Sequence, residues 1–321
     1  MKRVRVITSA RLHLGFLDLN GDLGRRFGSI GLSIDAFETS IELRQNPKFE
    51  IFGFERERSE RLGIRIAQSL GLDTASAMTV LSAIPAHAGL GSGTQLALAI
   101  ASAFRRFSGL APDPSSDARL LGRGARSGVG AALFERGGLV VDAGRGPITD
   151  LPPIVSGIAF PPDWRILLIM DPRVEGAHNE AERLAFAGLP KLSAESAAEI
   201  CRRALMQILP GAAERDLAAF GDGVGAIQTI LGDHFSPVQG GGRFTSRAVG
   251  RVAEGLKAWG ARGVGQSSWG PTGFAFALDP EQAEYFARRA RAEGESGVGI
   301  KICGARDRGA EIMEESESPN P

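Results

Sequence analysis

PAHAGLGSGTQLALAIASAF, residues 85–104, places three glycines in five positions directly before an apolar pattern of helical period. Leu96, Ile100 and Phe104 recur every four residues, which predicts the buried face of a helix. The apolar segment 77–84 comes just before this stretch and predicts a buried strand. The local order is therefore strand, glycine loop and helix.

A glycine loop at the start of a helix is suited to binding phosphate. Its backbone N–H groups lie at the positive end of the helix dipole, and glycine lets the backbone approach an anion closely. We therefore predict that residues 89–94 bind phosphate through Gly89, Gly91, Ser92, Gly93 and Thr94. The alternative is an ordinary strand-to-helix turn, which needs glycine only for its backbone dihedral angles.

Composition limits the classes of function. The chain has 321 residues, enough for two domains, and a formal net charge of zero. A neutral chain has no bulk attraction to nucleic acid or to an anionic membrane. No run of 18 apolar residues is present, and residues 1–16 lack the apolar core of a signal peptide. Two cysteines are too few for a disulfide framework, so a cytoplasmic location is expected.

The fold class predicted from the pattern is α+β. Neighbouring strands and segregated helices favour it over a doubly wound parallel sheet. Proline pairs at 152–153 and 161–162 mark a boundary, which predicts one domain over residues 1–160 and a second over 161–305. Residues 306–321 are polar and acidic without an apolar period, so a disordered tail is expected there.

Two further glycine-rich segments, 122–130 and 265–273, lie far from the first loop in sequence. A shared anionic ligand explains three such segments better than three unrelated turns do. Arg123 and Arg126 flank Gly124 in the second segment, which favours a role in anion binding. The four histidines show no metal-ligand spacing, and neither a dinucleotide fingerprint nor a G-x-S-x-G nucleophile elbow is legible.

The segment PAHAGLGSGT resembles the Pro-x-x-x-Gly-Leu-Gly-Ser-Ser phosphate loop of the GHMP kinase superfamily, and QSSWGPTG at 266–273 resembles its C-terminal glycine motif. Within that superfamily, residues 10–21, 28–35 and 126–144 resemble the β-ribofuranosylaminobenzene 5′-phosphate synthase family. The resemblance spans residues 3–304. It implies a GHMP-kinase-like two-domain fold, with an N-terminal domain like ribosomal protein S5 and a ferredoxin-like C-terminal domain.

That family condenses phosphoribosyl pyrophosphate with 4-aminobenzoate or 4-hydroxybenzoate and releases CO2 and pyrophosphate, in tetrahydromethanopterin biosynthesis. One departure from the kinases favours this activity. Superfamily kinases carry Ser-Gly-hydrophobic-Asp, whose aspartate helps to deprotonate the acceptor hydroxyl, whereas this chain has Gly130 at the fourth position of the run 127–130. Loss of a general base typically costs about a hundredfold or more in rate. An ATP-dependent small-molecule kinase and a non-catalytic binding module remain the alternatives.

The resemblance also implies a site. Mg²⁺ neutralises the leaving pyrophosphate, and Asp18 is the candidate metal-associated or ribose-binding carboxylate, with capping of a turn as its alternative role. Asp18 and Arg126 are the candidate catalytic residues. The remaining candidates are the phosphate ligand Arg123, the substrate ligands Arg11 and His13, and the pocket residues Ser267, Ser268 and Trp269. Trp269 as a plain core residue is the competing interpretation. Because superfamily relatives are often dimers, a homodimer is expected by analogy.

Overall fold

The computed structural model describes residues 2–176 and 179–316, and the strands of this part form two sheets. The strands of the first half are β1 (Lys2–Asp18), β2 (Phe27–Gln45), β3 (Glu50–Gly53), β4 (Ser76–Ser82), β5 (Leu139–Asp142) and β6 (Ile154–Ile158). The helices of the first half are α1 (Arg56–Leu70), α2 (Ser92–Phe107), α3 (Pro114–Leu120) and α4 (Val129–Arg136). The predicted strand, glycine loop and helix are thus confirmed as β4, the loop before Ser92, and α2.

The second half carries the smaller sheet. Its strands are β7 (Arg165–Met170), β8 (Arg262–Gln266), β9 (Gly273–Ala277) and β10 (Gly299–Cys303), in the order β10–β7–β9–β8. Its helices are α5 (Asn179–Gly188), α6 (Ala194–Arg203), α7 (Leu209–Glu214), α8 (Leu217–Phe235), α9 (Arg247–Ala258) and α10 (Pro280–Glu293). Among the described helices, none is long and apolar enough to cross a membrane.

The tail beyond residue 305 differs from the sequence prediction. Residues 311–316 form strand β11 (Glu311–Ser316), which pairs antiparallel with β1 from Lys2↔Ser316 to Ile7↔Glu311. The expectation of disorder is therefore wrong for this segment, while residues 317–321 lie outside the described part. The segment escaped prediction because an edge strand needs few apolar residues, and here Ile312 is the one that packs against the core of the first half.

Two strands are longer than their sequence patterns indicate. β1 is continuous from residue 2 to 18, although its register with β2 shifts between Ser9 and Arg11 and again between His13 and Gly15. The sequence pattern predicts two separate strands here, residues 3–9 and 12–19, and two short strands within residues 29–43. A β-bulge adds one residue and inverts the alternation of side chains, so it imitates a strand break in sequence while the chain continues.

The two halves share one hydrophobic core. A single cluster of buried side chains includes Leu12 and Ile30 from the first sheet, Ile166 and Phe274 from the second, and Phe220 of α8. The strands change sheet between Ile158 and Arg165, but β11 returns to the first sheet, which then has the order β11–β1–β2–β4–β3 with β5 beside β2. The domain boundary at residue 160 stays a prediction. The candidate site lies along this shared core.

Candidate active site

The glycine loop between β4 and α2 follows a sharply bent path. Three of its residues have positive φ, namely His87 (55°), Gly89 (75°) and Gly91 (82°). Gly91 is the N-cap residue of α2. As a glycine it has no side chain that could accept a hydrogen bond from the amides of the first turn. Residues 91–94 are half-exposed. The first turn of α2 thus presents its N–H groups and the positive end of its dipole at the surface, as an anion site requires.

Neighbouring segments hold the loop in this shape. The Arg11 guanidinium donates from Nη1 to the Gly89 carbonyl over 2.7 Å, and the Arg11 amide donates to Leu90 O over 3.1 Å. The Ser267 hydroxyl donates to the same Gly89 carbonyl over 2.8 Å and accepts the His13 amide over 3.0 Å. The first and third glycine segments therefore meet directly. Arg11 and Ser267 act here as residues that position the loop.

Arginines converge on the start of α2 from the other side. A Cβ on Gly93 would collide with Nη2 of Arg58 and would lie 3.5 Å from Nη1 of Arg123. Both arginines line an open groove beside the loop, together with His87. Three more arginines line the same groove, namely Arg56, Arg61 and Arg65. The groove is therefore cationic at the point where the helix dipole is also positive.

The charge of Arg123 is poorly compensated in the protein itself. Its Nε is buried and has no hydrogen-bond partner among the residues that the structure describes, and burial together with the nearby Arg58 and Arg65 lowers the pKa of Arg123 from its ordinary value. Arg58 reaches one carboxylate, Glu55, at 3.5 Å. Like charges held close together are unfavourable until an anion joins them. A bidentate phosphate would satisfy both the charge and the buried donor.

A cluster of aromatic rings lies on the far side of His13. Trp269 packs against Phe186 and Phe235 with ring centroids 5.1 and 4.8 Å apart, and Phe16 lies 5.8 Å from Phe186. His13, Phe16, Phe235 and Trp269 line one cavity with Ser268. Trp269 is buried, so it belongs to the core and also walls this cavity. The core interpretation of Trp269 is therefore met, and its role as a substrate-binding residue stays a prediction.

His13 is the most strongly perturbed polar group of that cavity. It is 3% exposed, and its Nε2 has no hydrogen-bond partner within residues 2–176 and 179–316. Burial, with a smaller contribution from the charge of Arg11, lowers the pKa of His13 to about 3. The imidazole is therefore neutral at physiological pH.

Gly130, where superfamily kinases have their aspartate, offers no space for a side chain. The three atoms nearest to the position of its missing Cβ all belong to Thr94, the first at 2.9 Å. The Gly130 carbonyl accepts a hydrogen bond from Nε2 of the Gln95 side chain over 2.9 Å, so the side chain beside Gly130 is neutral. The kinase carboxylate is absent here, and an acid at this position would also push against the phosphate loop.

Asp142 is the nearby carboxylate that the sequence analysis did not single out. It is fully buried, and its oxygens accept the Gly128 amide at 2.8 Å, the Gly144 amide at 2.9 Å and the Ser127 hydroxyl at 3.4 Å. Burial raises the pKa of Asp142 to about 6 in spite of these bonds. Because its oxygens are already engaged, Asp142 holds the turn before α4 and does not replace the kinase base.

Asp142 gives a pH-dependent prediction. Its folded-state pKa is raised above the ordinary 3.8, so the folded protein keeps a proton that the unfolded chain has lost. The contribution of Asp142 to the free energy of unfolding must therefore fall as the pH rises from about 4 to about 6. We expect Asp142→Asn to remove this fall, and to cost about 1–3 kcal/mol at pH 7 because one backbone N–H loses its acceptor.

Urea unfolding at pH 4.5 and 6.5 measures this effect. The exposed Asp150→Asn is the control and should keep the wild-type difference between the two pH values. A wild-type difference that survives in Asp142→Asn would assign the pH dependence to another group.

The structure brings most of the predicted site residues together, with one clear exception. Arg126 lies with its guanidinium 4.6 Å above the Phe186 ring, at the aromatic cluster. Asp18 is seven residues from Arg11 along β1, about 20 Å at the rise of a strand. Its Oδ1 accepts the amides of Asn20 and Gly21 at 2.7 and 2.9 Å, which is the turn-capping alternative. The catalytic and metal roles of Asp18 stay predictions, without support from its position.

Arg58 was missed as a site residue, although the sequence carries a signal for it. Arg58, Arg61 and Arg65 are spaced i, i+3 and i+7 within a predicted helix, which puts their charges on one face. Glu55 and Glu57 line the same groove, so it is the excess of arginine over glutamate that indicates an anion partner. The sequence does not show that these arginines reach the loop, because Arg58 lies 31 residues before Gly89 and only the fold brings the two together.

Comparisons with known proteins agree with the fold and narrow the family. Residues 58–138 match the family model described as GHMP kinases N terminal domain. Two curated relatives are named β-ribofuranosylphenol 5′-phosphate synthase. The one from Archaeoglobus fulgidus is 32% identical over 96% of this chain and 99% of its own. The one from Methanothermobacter thermautotrophicus is 30% identical over 94% of this chain and 96% of its own.

Solved structures with the same fold are enzymes of several kinds. A homoserine kinase from Cytophaga hutchinsonii is similar with a TM-score of 0.69 at 16% identity, covering 97% of each chain. A mevalonate diphosphate decarboxylase from Enterococcus faecalis is similar with a TM-score of 0.66 at 14% identity, covering 98% of this chain and 100% of its own. At this identity the likeness shows the α+β GHMP-kinase fold that the sequence predicted.

Proposed function

Because this chain belongs to the family of the β-ribofuranosylphenol 5′-phosphate synthases, we propose that it condenses phosphoribosyl pyrophosphate with a 4-substituted benzoate and releases CO2 and pyrophosphate. It is a pentosyltransferase, and the reaction belongs to tetrahydromethanopterin biosynthesis. The name of the relatives refers to a phenol, which is the product that 4-hydroxybenzoate would give. Both 4-hydroxybenzoate and 4-aminobenzoate are candidate substrates.

One observation carries the proposal. The chain keeps a phosphate loop with a cationic groove but has Gly130, packed against Thr94, where a kinase needs its acid. A kinase must deprotonate an acceptor hydroxyl. The synthase reaction has no such hydroxyl, because the arene carbon itself is the nucleophile. A phosphate site without a base fits the synthase reaction and not the kinase reaction.

The chemistry divides between the two sides of the loop. The amides of residues 91–93, with Arg58 and Arg123, hold the pyrophosphate and stabilise the charge that it gains as its bond to C1 of the ribose breaks. The benzoate approaches the ribose with its carboxylate-bearing carbon toward C1, on the side of the loop where Ser268 and Trp269 lie. The new carbon–carbon bond forms there, and the ring regains aromaticity when the carbon–carboxylate bond breaks and CO2 leaves.

Mg²⁺ is proposed to enter with the substrate. Among the described residues, no group of three or more His, Cys, Asp or Glu side chains is placed to hold a metal ion. Asp18, the predicted ligand, is engaged in its own turn. Mg²⁺ commonly binds to substrate phosphates with few protein ligands. Mg²⁺ that enters with the pyrophosphate needs no such group of protein ligands, and its presence stays a proposal. The homodimer expected by analogy also stays a prediction.

Ligand stabilisation separates the proposal from its alternatives. We expect phosphoribosyl pyrophosphate with Mg²⁺ to raise the midpoint of thermal unfolding more than ATP with Mg²⁺ at equal concentration, because a ligand that binds only the folded state stabilises it in proportion to its affinity. A larger shift with ATP, followed by ADP release with an alcohol, would support a kinase. A shift with phosphoribosyl pyrophosphate and no product with either benzoate would indicate a binding module.

A further inference from the structure

The cationic groove beside the phosphate loop has more room and more charge than a pyrophosphate alone needs. Its volume is about 850 Å³, within the range of pockets that hold whole small molecules. Arg58 and Arg123 converge on Gly93 at the loop. The lining continues along α1 beyond Arg58, and its arginines are Arg56, Arg58, Arg61, Arg65 and Arg123. A second anionic group can therefore bind in the groove away from the loop.

Arg65 carries positive charge to a second point of the groove. It follows Arg58 by two helical turns on the same face of α1, about 10 Å along the helix axis. Its Nη2 donates to the Leu120 carbonyl over 2.7 Å, which fixes the guanidinium at the end of α3. Among the described residues Arg65 has no carboxylate partner. Arg123 is close enough to feel the charges of both Arg58 and Arg65, so the three form one row.

The lining of the groove suits phosphate better than a nucleobase. Its arginines outnumber its glutamates, Glu55 and Glu57, and Arg58 reaches Glu55 at 3.5 Å. Of the described residues that line the groove, none is Phe, Tyr or Trp, and Leu62 is the largest apolar one. Pockets for organic rings have predominantly apolar and aromatic walls, whereas the arginine fork matches phosphate oxygens. The excess of positive charge therefore indicates a second phosphate.

We propose that the groove binds phosphoribosyl pyrophosphate at two separate subsites, with the pyrophosphate at Arg58 and Arg123 and the 5′-phosphate at Arg65. This proposal rests on the proposed function and adds the residue that recognises the end of the sugar opposite C1. Phosphoribosyl pyrophosphate carries phosphate at both ends of one ribose. A row of arginines with charge at both ends can contact both groups through charge-assisted hydrogen bonds.

The two subsites also distinguish phosphoribosyl pyrophosphate from ATP. ATP carries its phosphates in one chain, so a nucleotide held at Arg58 and Arg123 would turn its sugar and base toward Arg65. Arg65 would then lose part of its hydration without gaining an anion, which is unfavourable. The 5′-phosphate of phosphoribosyl pyrophosphate supplies that anion. Arg65 is therefore a specificity-determining residue of the site.

The test measures which end of the ligand each arginine holds. Isothermal titration calorimetry with Mg²⁺, in about 0.15 M salt so that distant charges are screened, gives Kd for three probes. The probes are inorganic pyrophosphate, ribose 5-phosphate and phosphoribosyl pyrophosphate. We expect Arg65→Gln to weaken binding of the last two by about 10–100-fold, and of pyrophosphate by less than about threefold. Arg58→Gln should weaken pyrophosphate and phosphoribosyl pyrophosphate by the same factor and leave ribose 5-phosphate within about threefold.

Two further variants separate contact with the ligand from other effects. Arg65→Lys keeps the cation and a donor, so it should keep most of the affinity for ribose 5-phosphate. Arg119→Gln is the matched control, an exposed arginine of α3 outside the lining of the groove, and should change none of the three Kd values. Thermal unfolding without ligand shows whether loss of the contact between Arg65 and Leu120 disturbs the fold.

Each outcome decides the proposal. Opposite selectivity of Arg65→Gln and Arg58→Gln supports it. Equal weakening of pyrophosphate and ribose 5-phosphate in Arg65→Gln overturns it, because the groove would then act as one undivided field of charge. It is also overturned if Arg65→Gln leaves ribose 5-phosphate unchanged, or if the wild type does not bind ribose 5-phosphate or binds phosphoribosyl pyrophosphate no more tightly than pyrophosphate.

Failure of the proposed function has a different readout. If the wild type releases no CO2 from either benzoate, the synthase activity fails. The selectivity of the two subsites is measured by binding alone, with no benzoate present. The two failures are therefore distinguishable.

Discussion

Gly93→Val is expected to reduce turnover by at least about a hundredfold while the protein remains folded. A side chain at this position would enter the space where Arg58 and Arg123 converge on the first turn of α2. It would displace the arginines and block the approach of a phosphate to the helix amides, each of which contributes on this scale to stabilising a developing negative charge. Gly93→Ala should lose less, because the flexible end of Arg58 can move away from a single methyl group.

The fold should tolerate both changes. Gly93 lies in the first turn of a helix without positive φ, and what it approaches is the end of a side chain. Alanine is about 1 kcal/mol more favourable than glycine within a helix. Gly225→Ala and Gly225→Val are the controls, because Gly225 is helical and has no atom within 4 Å of its missing Cβ. Steady-state kinetics and thermal unfolding measure the two effects. Near wild-type rates in Gly93→Val would exclude a phosphate at the start of α2.

Arg123→Leu is expected to separate activity from stability. We expect kcat/KM to fall by about a hundredfold, mainly through the KM for phosphoribosyl pyrophosphate, because a charged bidentate ligand of the pyrophosphate is lost. The ligand-free variant should unfold at the same temperature as the wild type or a higher one. Replacing Arg123 removes a buried Nε that has no partner among the described residues. It also removes the repulsion of Arg123 by Arg58 and Arg65. Saturating phosphoribosyl pyrophosphate should reverse the order of stability.

Thermal unfolding with and without phosphoribosyl pyrophosphate, beside initial rates, measures both effects. Arg119→Leu is the matched control, an exposed arginine in the neighbouring helix α3, and should change neither quantity. If Arg123→Leu destabilises the ligand-free protein and leaves the KM unchanged, Arg123 is a structural residue and the groove is not the pyrophosphate site.

The sequence was most informative where the structure is local. The strand, loop and helix from residue 77 to 104 follow from glycine spacing and a four-residue apolar repeat, and both signals lie within one stretch. The missing acid at Gly130 was also visible, because it is a comparison of residue types along a motif. The structure adds that Thr94 fills the space, which no residue type could indicate.

The sequence was least informative where long-range packing decides the property. Nothing near His13 in sequence indicates that Gln228, Phe235 and Trp269 enclose it, and its neutrality depends on that enclosure. Asp142 is an acid at the end of a short strand, and only the tertiary contact with Gly128 makes it a buried acceptor. Arg58 is an intermediate case. The sequence predicts the helix face on which it lies, but not that this face contacts the phosphate loop.

The central claim is that this protein carries out a decarboxylative condensation at its phosphate loop. Its most direct test incubates the protein with Mg²⁺, phosphoribosyl pyrophosphate and carboxyl-labelled 4-hydroxybenzoate or 4-aminobenzoate, and counts labelled CO2 and pyrophosphate. We predict one CO2 for each pyrophosphate with at least one of the two benzoates, and no CO2 when ATP replaces phosphoribosyl pyrophosphate. Pyrophosphate release without CO2, or phosphorylation of an alcohol by ATP, would contradict the account.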